Sequence, residues 1–328
     1  MYETSYHNIN LGQYKFLITG GAGFIGSNLT EYLLKYGAGK VRILDDFSTG
    51  SRENIKPFLD NPAFELYEGD IRDIEACRRA VEGMDYISHQ AALGSVPRSI
   101  NDPITTNEVN ISGFLNMLVA ARDANIKRMI YAASSSTYGD HPDLPKVEDK
   151  IGNPLSPYAI TKYVNELYAG TFSKVYNFHT IGLRYFNVFG PKQDPDGAYA
   201  AVIPLFIKAA LSAEAPFING DGKTSRDFTF VENAVQANIR ALFFNDLHEH
   251  QVVNIACGES TTLNQLWKVI SSVEDVDIQP HYQPEREGDV KHSLADISKV
   301  NGLLGYVPSV KVKDGLVLTY SWYKNKKK

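Results

Sequence analysis

Near the N-terminus a short apolar run, Lys15 to Thr19, breaks into Gly20-Gly-Ala-Gly23-Phe-Ile-Gly26, and a helical pattern follows at once. Three glycines at three-residue spacing between a strand and a helix constrain the fold more than any other stretch of this chain. Gly20 permits a tight turn, Gly23 lets backbone approach a pyrophosphate, and Gly26 lets helix pack close on strand, with the helix N-terminus facing the anion. Ile25, Leu29 and Leu33 recur at four-residue spacing, as the inward stripe of such a helix requires. Asp45 stands 19 positions past Gly26, at the end of the next apolar run. An acidic group there accepts a hydrogen bond from a ribose 2'-hydroxyl and repels a 2'-phosphate, which favours NAD over NADP. The plainer alternative is that Asp45 and Asp46 only open a loop.

The alternation of short apolar runs with helical stripes continues. Strands are predicted at Lys15 to Thr19, Val41 to Leu44, Phe64 to Glu68, Tyr86 to His89, Arg128 to Ala132 and His179 to Arg184. Helices lie between them, one with the stripe Ile111, Leu115 and Leu118. This pattern predicts an α/β fold, a Rossmann-type doubly wound parallel sheet. After Asn187-Val-Phe-Gly-Pro191 the pattern loosens, which predicts a smaller mixed α/β substrate domain. The expected division is an NAD-binding domain over 1–186 with a returning segment near 228–258, and a partly interleaved substrate domain over 187–328. Ligands in such sheets bind beyond the carboxyl ends of the strands, where strand order reverses. The turns there give candidate cofactor contacts: Phe24 and Ile25 beside the glycines, Asp46 beside Asp45, Asp70 and Ile71 for adenine, and Ala91, Ala92 and Leu93 lining the cleft. Asn107 is expected to brace it.

Tyr158 and Lys162 form a Tyr-x-x-x-Lys pair, and Ser134 ends the upstream run Tyr131-Ala-Ala-Ser134. Helical positions i and i+4 share a face, so the Lys162 ammonium is expected beside the Tyr158 phenol. A free tyrosine, with a pKa of about 10, is a poor base at neutral pH. A neighbouring cation favours the phenolate, and an oxidised nicotinamide would favour it further. Tyr158 then becomes a proton acceptor for a substrate hydroxyl. A surface aromatic beside a solvated charge is the plain alternative, but Ser156-Pro157 reads as N-cap and N1, placing Tyr158 in a first helical turn.

At 328 residues the chain is long enough for a large core. Its 33 basic and 38 acidic residues leave a net charge of -5, which gives no footprint for nucleic acid. Cys77 and Cys257 are too few for a disulfide framework, and a reducing, cytoplasmic location is expected. No run reaches the roughly 18 apolar residues of a membrane span, and the polar N-terminus lacks a leader pattern. The eight histidines show no metal-ligand spacing.

Taken together, the motifs resemble the extended short-chain dehydrogenase/reductase family, and within it the nucleotide-sugar 4-epimerases. Gln90-Ala-Ala-Leu-Gly-Ser-Val-Pro-Arg-Ser99, the serines 134–136, Arg184-Tyr-Phe-Asn-Val-Phe-Gly190, Asp194-Pro-Asp-Gly-Ala-Tyr-Ala200 and Ser225-Arg-Asp227 look most like bacterial UDP-N-acetylglucosamine 4-epimerases of surface-polysaccharide synthesis. The segment before Tyr14 looks like the N-terminal extension of that group. The resemblance implies catalysis by Ser134, Tyr158 and Lys162, with Lys162 also touching the nicotinamide ribose. It implies a UDP grip from Asn187, Arg226, Arg286 and Asp289. It also implies a homodimer, paired through helices near 106–124 and 157–173.

Sugar choice is expected to depend on room near the C2 substituent. Ser293 matches the family position where a bulky residue restricts the enzyme to plain hexoses and a small one admits N-acetyl groups, while Ser135 and Ser136 offer hydroxyls to an amide. Interconversion of UDP-GlcNAc and UDP-GalNAc is therefore expected. The alternatives are UDP-glucose, or a UDP-hexuronic acid whose carboxylate meets Arg98 or Lys192. A 4,6-dehydratase would need an acidic residue where Ser135 and Ser136 stand, and a non-catalytic NAD sensor would have no need of Ser134, Tyr158 and Lys162.

Overall fold

The apolar runs of the first half pair side by side, and the residues within them, such as Phe16, Leu17 and Ile18, lose all contact with solvent. Continuous burial of this kind marks strands covered on both faces. The computed structural model describes residues 1–197, 200–273, 278–285 and 291–326. At its centre lie seven strands: β1 (Lys15–Thr19), β2 (Lys40–Asp45), β3 (Phe64–Glu68), β4 (Tyr86–His89), β5 (Arg128–Ser134), β6 (Thr180–Tyr185) and β7 (Gln251–Ile255). They run in the order β7-β6-β5-β4-β1-β2-β3, and every pairing is parallel. The order reverses between β1 and β4, so the crevice expected at such a switch point opens there.

Five principal helices cover the sheet: α1 (Phe24–Lys35), α2 (Ile74–Val81), α3 (Phe114–Asp123), α4 (Pro157–Tyr176) and α5 (Val231–Leu242). Leu29 and Leu33 of α1 join Val235, Ile239 and Leu242 of α5 in one apolar core. Cys77 and Val81 of α2, Met117 and Leu118 of α3, and Ala169 and Phe172 of α4 form another. Each large side chain fully buried in this way contributes about 1.5–3 kcal/mol. α4 starts as its sequence dictates. Ser156 accepts a hydrogen bond from the Ala159 amide at 3.2 Å, Pro157 opens the first turn, and Asn177 ends the helix in the left-handed region at φ 53°.

The seventh strand and α5 come from residues 231–255, beyond the point where the sequence pattern loosens. α5 buries eleven of its twelve residues, polar ones among them. Glu232 accepts from the Tyr2 amide at 3.0 Å and the Tyr6 hydroxyl at 2.9 Å, and Tyr2 in turn donates to Asn28 on α1 at 2.9 Å. The N-terminal segment thereby clamps α1 to α5. Among the described residues the remaining chain builds three two-stranded ribbons, Val188–Phe189 with Thr229–Phe230, Ser225–Arg226 with Thr261–Thr262, and Phe217–Asn219 with His281–Gln283. Helices Val202–Leu211, Leu263–Ser272 and Val312–Lys326 pack Phe206, Trp267 and Tyr320 into a separate core beside them.

Candidate active site

The glycine turn after β1 does what its spacing requires. Gly20 lies at φ 65°, and a Cβ on Gly26 would sit 2.2 Å from the Gly20 carbonyl oxygen. Gly23 caps α1 without a side-chain hydrogen bond, which leaves the first-turn amides to a ligand. The turn borders a cleft of about 430 Å³ over the carboxyl ends of the strands, lined also by Phe24, Ile25, Asp45, Asp46, Asp70, Ile71, Ala91, Ala92 and Leu93. Asp45 accepts from the amides of Ala22 and Phe47, each at 2.9 Å. Its carboxylate thus ties β2 to the glycine turn while facing the cleft. Thr19 joins the His89 ring at 2.8 Å and accepts from the Ala91 amide at 3.2 Å; the turn after β4 is held in the same way.

Ser134, Tyr158 and Lys162 line this same cleft. Ser134 closes β5 and α4 carries the other two, so the reactive groups meet where strand and helix approach. Lys162 is 3% exposed and donates to the Ala132 carbonyl at 2.9 Å. Its ammonium lies 6.0 Å from the centre of the Tyr158 ring. Burial pushes Lys162 down to about 8. Burial also raises the Tyr158 phenol above its ordinary value, and a hydrogen bond with Ser134 draws it part of the way back. Ser134 thus favours the ionised phenol, and burial opposes it.

Gln90 and Tyr185 also line the cleft, and the sequence reading missed both. Gln90 donates to Ser88 at 2.8 Å and to Asn238 at 3.0 Å, and Asn238 donates to the Tyr185 hydroxyl at 2.7 Å. The position of Gln90 immediately after β4 was an available signal for it. Nothing local marks Asn238, which arrives on α5. Asn107 does not reach the cleft: it is exposed, and the brace is Asn110, which accepts from the Leu93 amide at 2.8 Å and donates to the Leu93 carbonyl at 3.1 Å. A wide π turn over Glu108–Gly113 carries Asn110 inward.

Residues 16–256 match the model of the NAD dependent epimerase/dehydratase family. The chain belongs to that family. It is 35% identical over 312 residues to the UDP-glucose 4-epimerase of Mycolicibacterium smegmatis, covering 94% of this chain and 98% of that one. The UDP-glucose 4-epimerase of Thermotoga maritima, solved with UDP-glucose, superposes with a TM-score of 0.90 at 35% identity, over 96% of this chain and 100% of that one. The UDP-N-acetylglucosamine 4-epimerase of Methanobrevibacter ruminantium M1, solved with UDP-N-acetylmuramic acid, gives 0.89 at 39% identity, over 95% and 99%. The family is NAD-dependent, and the glycine turn, the open α1 terminus and Asp45 fit that cofactor.

In this epimerase/dehydratase chain the NAD cleft opens onto a second cleft of about 540 Å³, the two sharing Gly94, Asn187 and Val188. Arg226 lines the second cleft with Phe217, Thr224 and Lys291. Asn187, held at φ 38° and donating to the Asp227 carbonyl at 2.9 Å, stands at the junction. Arg286 and Asp289 lie outside the described residues. Ser135, Ser136 and Ser293 line neither cleft. The Ser136 hydroxyl donates to Ser134 at 2.9 Å, and the Ser293 amide donates to the Ser225 carbonyl at 3.1 Å. The Lys192 ammonium pairs with Glu31 at 2.6 Å and donates to the Ser27 carbonyl at 3.2 Å. Among the described residues no group of three or more His, Cys, Asp or Glu is placed to hold a metal, and no helix is long and apolar enough to cross a membrane.

Proposed function

We propose that this protein interconverts the C4 epimers of UDP-linked sugars, with UDP-GlcNAc and UDP-GalNAc as the preferred pair. The observation that carries the reading is the junction of the two clefts. A dinucleotide cleft holding Ser134, Tyr158 and Lys162 meets, at Asn187, a second cleft that presents Arg226 to a diphosphate. Planar guanidinium groups suit diphosphate oxygens. NAD, when bound, supplies the acceptor and then the donor of the C4 hydride.

The chain's own residues supply the rest. Tyr158 takes the C4 hydroxyl proton and later returns it, Ser134 hydrogen-bonds the same oxygen, and Lys162 favours the ionised phenol. An epimerase must hold the nucleotide while the hexose turns its other face to the nicotinamide, so the grip belongs at the diphosphate and not at the sugar. Arg226 and Arg286 are assigned that grip, and Asp289 is assigned the ribose hydroxyls of the UDP. The 39% identity to an enzyme named for UDP-N-acetylglucosamine supports the N-acetyl preference. The engagement of Lys192 with Glu31 weighs against it as a partner for a uronic carboxylate. The same reading implies a homodimer paired through the helical face around α4.

The test is incubation of the purified protein with UDP-GlcNAc, UDP-glucose and UDP-glucuronic acid separately, without added cofactor, following the C4 epimers by NMR. Fastest conversion of UDP-GlcNAc is expected. Fastest conversion of the uronic sugar would refute the sugar assignment, and no conversion of any of them even with NAD added would refute the epimerase.

A further inference from the structure

A hydroxyl has one proton to give and two lone pairs that accept. Ser134 receives two hydrogen bonds from a single residue: the Ser136 amide donates to its Oγ at 3.2 Å and the Ser136 hydroxyl donates at 2.9 Å. With both acceptor positions filled, the one thing Ser134 has left to do is donate. The Tyr158 phenol lines the same cleft, and Ser134 draws its pKa downward against the effect of burial. The local chain explains the arrangement. Ser134 is the N-cap of the short 3₁₀ turn Ser135–Tyr138, and that turn returns Ser136 over the capping oxygen.

We propose that Ser136 is a positioning residue that fixes the direction of the Ser134 proton, aiming it at the Tyr158 oxygen and, in turnover, at the sugar O4. This rests on the reading of Tyr158 as the proton acceptor. A donor aimed at the phenol oxygen favours its ionised form, whereas an acceptor in the same place favours the neutral one. Ser136 therefore decides which of the two Ser134 is. The assignment differs from that of an N-acetyl receptor, which would leave the Ser136 hydroxyl free for substrate. The other titratable groups of this corner are Lys162 on α4, Tyr185 on β6, which burial pushes up to about 12, and His89 on β4, held neutral by burial and by Lys162, which bring it to about 3. A substitution at Ser136 alters none of them.

In Ser136→Ala one lone pair of Ser134 is released, so Ser134 is free to accept from a neutral phenol. The pH profile of kcat/KM is measured for the wild type, Ser136→Ala, Ser136→Thr, Ser135→Ala and Tyr158→Phe, each with NAD bound. The acid limb of Ser136→Ala is expected to move up by about half a pH unit or more, and Ser136→Thr, which keeps the hydroxyl, is expected to restore it. Ser135→Ala is expected to change the height of the profile and not the place of the limb. A Ser136→Ala limb that overlies the wild type, while Tyr158→Phe has lost turnover, overturns the role of Ser136 and leaves the base in place. Near-normal turnover in Tyr158→Phe overturns both.

Discussion

Burial brings the Lys162 ammonium down to about 8, so its charge vanishes as pH rises through that value. The protonated form favours the ionised phenol, so the sign is fixed: kcat/KM falls on the alkaline side as pH passes about 8. A profile flat to the pH of free lysine, about 10.4, would contradict it. Replacing Tyr158 by Phe removes the proton acceptor and is expected to lower kcat by a factor of about 100 or more, measured with NAD content held equal. Tyr158, Lys162 and Ser134 were legible in the sequence because strand end and helix start fix their places within one turn. The state of their protons was not. It depends on burial by residues distant in sequence and on Ser136, whose two hydrogen bonds to Ser134 follow from the 3₁₀ turn and not from spacing.

At the level of elements, α4 is held to the sheet by one buried ion pair. Glu166, one turn beyond Lys162, takes Arg184 of β6 in a two-pronged grip at 2.8 and 2.7 Å, and both side chains are nearly sealed from water. Arg184 also donates to the Glu148 carbonyl at 2.9 Å and lies 4.8 Å from the Tyr138 ring centre. Removing one partner strands the other, so Glu166→Ala is expected to cost about 3–5 kcal/mol, whereas the pair Glu166→Leu with Arg184→Met should cost far less. Urea unfolding at a fixed NAD concentration checks both, and equal losses would deny the ion pair its role. The first six strands were readable to within two residues, because apolar runs buried on both faces leave little latitude. β7 and α5 were not resolved as elements, since Asn233, Gln236 and Asn238 give α5 a polar surface that reads as exposed until tertiary partners such as Val310 and Tyr185 are in place. The wide turn at Glu108–Gly113 hid Asn110 by displacing the helical count.

Across the whole molecule, the apolar surface is not evenly spread. Ile160 and Leu167 on α4 are about half exposed, and Ile100 and Ile104, on the short helices Val96–Asn101 and Pro103–Asn107 that touch α4, are more so. Large apolar side chains gathered on one helical face suit a partner surface, and a second copy of this chain is the expected one. Light scattering should give twice the mass of the chain, and Ile160→Asp with Leu167→Asp should halve it while the NAD cleft, on another side of α4, keeps its ligand. A wild-type monomer would refute the pairing. The interleaving of the two regions has a further consequence. Because β7 pairs with β6 and α5 lies beneath the glycine turn's own helix, a nascent chain that has emerged only through residue 186 has an unfinished sheet edge and one bare face. The nucleotide-binding half therefore cannot close as it leaves the ribosome. It must wait about seventy residues more, until Ile255 is out, and during that interval the growing polypeptide needs shielding from its neighbours.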